Sequence, residues 1–297
     1  HRRLRRLDRD RPRVIATESA LRACAYAGLV LLAGVAAFWL YVWPEGRRNR
    51  VIMRLAWAGW GLSVACAALL LVVEMVRTKS GLLDVIATRT GTSLMLRLAL
   101  AALAWSWLGE LSTARGTASG RMRGRAGMVV LALLPLTWVS AGRSVTGHYA
   151  AAKTVLASMH IVAMTVWVGG LVVLVVILLP QDDPTALHGA LPRFSPVAAT
   201  SVAVLAGSGV LHAVAEADGI GRLLHSGYGA LLLAKLAAFS VMLLLGNEGR
   251  RYTGHRFEAL IVGHRSRLQI LCLAVGAEIA IAGIVLTLSA ALTLAPL

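Results

Sequence analysis

The feature that most constrains this chain is an apolar run from Thr154 to Leu179, roughly twenty-five residues without a formal charge. That is long enough to cross the ~30 Å hydrocarbon core of a bilayer. No water is available there, so each backbone N–H and C=O must be paired within the segment, and the run is expected to be a helix. Eight such runs are read along the chain, at about 20–43, 55–76, 94–111, 126–142, 155–179, 196–215, 229–246 and 268–293. The fourth is short and contains Pro135, which is expected to kink it. Hydrophobic residues make up 58% of the chain and charged ones 15%, with a mean hydropathy of +0.72, which excludes a soluble domain. The expected fold class is all-α, a polytopic membrane bundle of about eight transmembrane helices.

The formal net charge of +16 would suggest nucleic acid in a soluble protein, but here the arginines stand between apolar runs. They read as topology signals and as contacts for the headgroups of the lipid bilayer, and no nucleic-acid partner is expected. One set of alternate loops holds fourteen Lys and Arg, among them Arg121, Arg123 and Arg125, and the other set holds six. The positive-inside rule makes the first set cytoplasmic and places both termini outside. Residues 1–19, with seven Arg among the first thirteen positions, read as a basic arm of irregular structure ahead of a membrane domain at 20–297. Its charge opposes the outside placement, so either sequence upstream overrides it or one span is miscounted. The chain opens on His1 with no signal-peptide pattern, which also leads one to expect sequence upstream. Trp39, Trp43, Trp57, Trp60, Trp105 and Trp107 gather at the cytoplasmic helix ends and are expected to form an interfacial belt.

The chain also resembles itself. Gly34 and Pro44 correspond to Gly170 and Pro180, while Glu74, Gly91 and Arg97 correspond to His212, Gly229 and Lys235. Two parallel four-helix repeats are expected from this, with halves at about 20–153 and 154–297 and a site at their interface.

Within the central run His160, Met164 and Trp167 fall at i, i+4 and i+7 and share one face, with Met159 beside them. An imidazole in hydrocarbon is costly unless it is paired or used, so His160 reads either as a site residue or as a hydrogen-bond partner of a neighbouring helix. In the expected topology His212 and Glu216, Glu74 and the loop residue His148 lie at its level, in the outer part of the membrane. Imidazole and thioether groups at one depth suit a copper ion. The plainer reading of His148, Glu74 and Glu216 is interfacial polarity wetted by headgroups. Glu278, near the middle of the last span, reads as a polar step on an ion path, with Trp167 beside the path, or as an interhelical hydrogen bond. Arg97 and Lys235 are expected to snorkel, or else to pair with Glu74 or Glu216 or anchor an anionic cofactor. Cys24, Cys66 and Cys272 show no metal or disulfide spacing and are expected to be free thiols. Ala199, Ala203 and Gly207 form a small-residue stripe expected to pack against another helix. Neither a phosphate-binding loop nor a hydrolase motif is present, so no enzyme is expected.

These residues resemble a known family, the membrane domain of copper resistance protein D (CopD, PcoD) and YcnJ-type proteins. The likeness rests on Trp43-Pro44, Thr90-Gly91 before Arg97, Gly147-His148-Tyr149, His160 with Trp167-Val168-Gly169-Gly170-Leu171, Arg193-Phe194-Ser195, Tyr228-Gly229 before Lys235, and Glu278. It implies copper handling, with import across a bacterial-type inner membrane and a CopC-like periplasmic copper donor as partner. The β-rich domain of fused members is absent from this sequence. The leading reading is a copper importer. The alternatives are a scaffold subunit of a larger membrane complex, or a haem- or quinone-linked redox protein with His160 and His212 as axial ligands.

Overall fold

A computed structural model describes residues 2–113, 118–140, 150–178, 184–216, 227–254 and 265–292, and all the regular structure among them is helical. The first rod consists of α1 (Arg2–Leu29), one π-helical turn (Val30–Gly34) and α2 (Val35–Tyr41). A 3₁₀ turn (Pro44–Arg48) leads to α3 (Arg50–Thr78), followed by the short α4 (Leu82–Ile86), α5 (Arg89–Thr113) and α6 (Ala118–Ser140). The second half holds α7 (Ala150–Val173) with its own π turn (Leu174–Leu178), α8 (Pro184–Glu216), α9 (Gly227–Gly254) and α10 (Arg265–Leu292).

Every expected span falls on one of these rods. Six segments are long and apolar enough to cross a membrane by length and composition, while α6 and α10 contribute shorter apolar stretches, Val129–Ser140 and Val275–Ala290. The molecule is a polytopic helical bundle. The basic segment expected to be irregular is instead helical from Arg2 onward. Arginine and leucine are good helix formers and the segment has no glycine, which favours helix there despite Pro12.

Glycine lets the rods approach closely. A Cβ on Gly28 would lie 2.8 Å from the Ser63 nitrogen and one on Gly59 would lie 2.5 Å from the Leu32 nitrogen, so α1 and α3 touch backbone to backbone. At the junction of the first rod with α7, a Cβ on Gly34 would overlap the Thr165 carbonyl oxygen and meet the Gly169 Cα at 2.9 Å. Around these two rods α3, α5 and α6 pack in sequence, α6 also touches α7, α8 lies along α7, and α9 and α10 form a pair in which α10 reaches both α1 and α7. The main core follows this seam through Leu32, Val35, Phe38, Val173 and Ile177.

Two expectations about faces are corrected. Trp39, Trp43 and Trp107 are buried in the core instead of forming a belt, while Trp57, Trp60 and Trp105 stack with centroids 4.5 to 5.9 Å apart and Trp60 Nε1 donates to Ala101 O at 2.7 Å. The stripe on α8 does not pack among the described residues, since Ala203 and Gly207 are exposed and a Cβ on Gly207 would meet nothing within 4 Å. The packed face of α8 is Ala198, Ser201, Leu205 and Ser208, three and four residues apart.

On the side of the arginine-rich loops, Arg193 at α8 ties the halves together. Its guanidinium donates to Glu45 Oε1 at 3.3 Å and reaches Val42 O at 3.5 Å, and the neighbouring Phe194 fills the space above Gly170 with its ring 5.3 Å from that of Phe38. The Glu45 carboxyl is held below its usual 4.5, first by its own backbone N–H and then by Arg193.

Candidate metal centre

His160 sits half-buried on α7, facing α8. Its Nδ1 lies 3.0 Å from Ser208 Oγ, and that hydroxyl donates to Val204 O at 2.5 Å. A hydroxyl has one proton to give, and with that proton on Val204 O, Ser208 accepts from the ring in the tautomer that carries its hydrogen on Nδ1. A Cβ on Gly209 would be 3.5 Å from His160 Cε1, so glycine at this position leaves the ring room. Ser208 is a residue that sequence reasoning missed. Its signal was its place one turn before His212 on the same face of α8.

The other expected members separate. Met164, one turn from His160, is partly buried against the core, whereas Met159 is 46% exposed and turned outward. Glu74 is buried but engaged by its own helix, with Arg77 Nη2 donating to Oε1 at 2.6 Å, and it belongs to the α3 region beside the satellite core of Leu70, Leu71, Val85 and Leu94. Residue 148 and the side chains of His212 and Glu216 lie outside the described residues, as do those of His188, His225, His255, His264 and Cys272. Among the described residues no cluster of three or more His, Cys, Asp or Glu forms a metal cage.

Deeper in the bundle, Trp167 is buried and meets the edge of Phe239 on α9 at 6.0 Å. Phe239, Met242 and Gly246 share one face of α9 at i, i+3 and i+7. Glu278 on α10, only 4% exposed, lies where a Cβ on Gly246 would be 3.2 Å from its Oε1. The two expected path residues, Trp167 and Glu278, thus lie against one face of α9, which also carries the buried Met242. Sequence reasoning missed Met242 as well.

Arg97 corrects an expectation outright. It does not snorkel: it is 3% exposed, and it pairs with neither Glu74 nor any other carboxylate among the described ion pairs, which are Arg22–Glu18, Arg77–Glu74 and Arg193–Glu45. The reason is geometric, because α6 covers it and Trp138 lies flat against its guanidinium. Lys235, its counterpart in the second half, is half-buried. Cys24 and Cys66 are free thiols, as expected.

Comparison with known proteins adds an independent line. The chain is 37% identical over 112 residues to the copper transport protein CutJ of Bacillus subtilis (strain 168), a match that takes in 35% of this chain and 21% of that protein. The chain thus spans about a fifth of the curated relative's length. No solved structure matches. The copper resistance protein D family matches residues 188–292, which holds α8, α9, α10 and the Ser208 that orients His160. Over that segment the chain is similar to the copper resistance protein D (CopD) family.

Proposed function

We propose that this chain handles copper ions in the membrane and moves them inward. The observation that supports the reading is the junction of α7 and α8: the family match takes in most of α8, and Ser208 of that helix holds the imidazole of His160 through Nδ1, with copper assigned by this proposal to Nε2. Imidazole binds copper in either oxidation state, and a thioether such as that of Met164 is a soft ligand for the monovalent ion. His212 occupies the next turn of α8 and supplies the second imidazole of the proposal. From there the line of Trp167, Met242 and Glu278 leads deeper between the helices of the second half. Sparse ligation of this kind strips water from the ion yet still releases it, as conduction requires. An inside-negative potential contributes about 2.3 kcal/mol per unit charge per 100 mV to cation entry, so no nucleotide is needed.

Copper accumulation in proteoliposomes with and without an imposed potential tests this. Uptake by the intact chain above that of His160→Ala at equal incorporation is expected. Equal uptake, or a fall in copper in cells that express the chain, overturns the importer reading. A Soret band in the purified protein would point to haem instead.

A further inference from the structure

The first half of the chain buries a positive charge that the copper line does not use. On α5, Ser93 and Arg97 stand one turn apart and face α6. Ser93 Oγ donates to the Thr137 carbonyl oxygen, Arg97 Nε donates to Thr137 Oγ1 at 3.2 Å, and that hydroxyl is committed to Leu134 O at 2.7 Å. The guanidinium carbon stands 3.7 Å from the centroid of the Trp138 ring, and Tyr26 of α1 stacks on the same indole at 4.1 Å.

These contacts satisfy Nε and give the cation an aromatic face. Two kinds of donor remain over. The Nη groups of Arg97 have no acceptor among the described hydrogen bonds, and Trp138 Nε1, itself buried, has no partner. A buried charge without compensation is costly, and an orphaned buried donor adds to that cost. The C-terminal end of α6, at Ser140, offsets only about half a unit charge. Among the described residues no carboxylate pairs with Arg97.

We propose that Arg97 Nη and Trp138 Nε1 form a binding site for one monovalent anion at the junction of α1, α5 and α6. One uncompensated cation calls for one negative charge, since a dianion would leave a charge buried again. The enclosure of Arg97 at 3% exposure favours an anion of chloride's size. The phosphodiester of an anionic lipid has the same charge and acceptor chemistry. None of its residues belongs to the His160 line, so the site does not rest on the copper reading.

The test uses the purified full chain in nanodiscs, without copper. In phosphatidylcholine discs, chloride is titrated against gluconate at constant ionic strength, with the chloride NMR linewidth and the thermal midpoint as readouts. Saturable line broadening and a rise in midpoint are expected. Trp138→Phe keeps the ring for Tyr26 and Arg97 but removes the N–H, and it is expected to weaken chloride about tenfold. Arg97→Gln is expected to abolish the effect. A second arm replaces part of the phosphatidylcholine with phosphatidylglycerol in gluconate. Stabilisation there, lost in the same variants, assigns the site to a lipid phosphodiester instead of a free anion. No anion dependence in either arm overturns the proposal, as does an anion response that Trp138→Phe leaves intact. Should Arg97→Gln fail to fold, Trp138→Phe alone decides.

Discussion

The two rods that meet at Gly34 and Gly169 are enclosed over 61% and 67% of their apolar windows, whereas those of α8 and α9 are enclosed over only 28% and 11%. The inner rods are held by backbone contact, where glycine is required and little can move. Among the described residues α8 packs along α7, while α9 packs on α10 and meets α7 at Trp167 and Phe239. The polar groups of the second half lie at those contacts: His160 reaches from α7 to Ser208 on α8, and Trp167 reaches from α7 to Phe239 on α9. The difference teaches that in this bundle close backbone packing and the candidate site are separated, with the packing at the inner contact and the candidate residues on the seams between inner and outer helices.

The contrast breaks most visibly at glycine. Gly34→Ala sets a methyl group against the Thr165 carbonyl and the Gly169 Cα, and overpacking of this kind costs about 1 to 3 kcal/mol or more. Gly207→Ala on the outer stripe meets open space and is expected to stay within about 0.5 kcal/mol of the parent. Thermal midpoints of the two variants in one detergent make the comparison, and equal losses would erase the distinction between inner and outer helices. A finer probe is Ser208→Ala. Hydrogen bonds between membrane helices average about 0.6 kcal/mol, so its stability is expected to fall little. Copper affinity, measured by competition with a chelator, is expected to fall about tenfold to a hundredfold, because the group that orients a ligand is lost. An unchanged affinity would mean that Ser208 only packs. The smallest effect belongs to Glu45 and Arg193, both solvent-exposed. The folded carboxyl titrates below 4.5, so the contact contributes above that value and is lost as pH falls through the folded value. The midpoint difference between the parent and Glu45→Gln is therefore expected at neutral pH and to vanish in strong acid.

The spans are legible in the sequence because hydrocarbon admits few solutions for a backbone, and a long uncharged run states its own structure. What a run does not state is which of its faces meets protein and which meets lipid. Small residues and tryptophans serve both environments, so Ala203 and Gly207 were expected inside and lie outside, while Trp39 and Trp107 were expected at the interface and lie inside. Arg97 was illegible for a related reason. Its length permits snorkelling, and only the fold brings Thr137 and Trp138, distant in sequence, over its guanidinium. His160 stood out by its cost in an apolar run, but its partner is a serine among alanines and valines, which looks like filler until the register of α7 and α8 is known.

Each inner rod carries a π turn, Val30–Gly34 in the first and Leu174–Leu178 in the second. Such a turn closes its hydrogen bonds one residue later than an α-helix does, so the rod holds one residue more than a straight α-helix would over the same path. Deleting a single residue there, Leu31 for example, lets the ordinary ladder close with the helix beyond it in register, whereas deleting one from the α-helix past the turn, Ala36 for example, rotates everything beyond it by about 100° about the axis. Phe38 and Trp39, both buried now, would then swing away from Phe194 and Trp107. The π turns are thus the places where the inner rods can absorb a change in the count of residues, while the α-helix between each turn and the core it aims cannot.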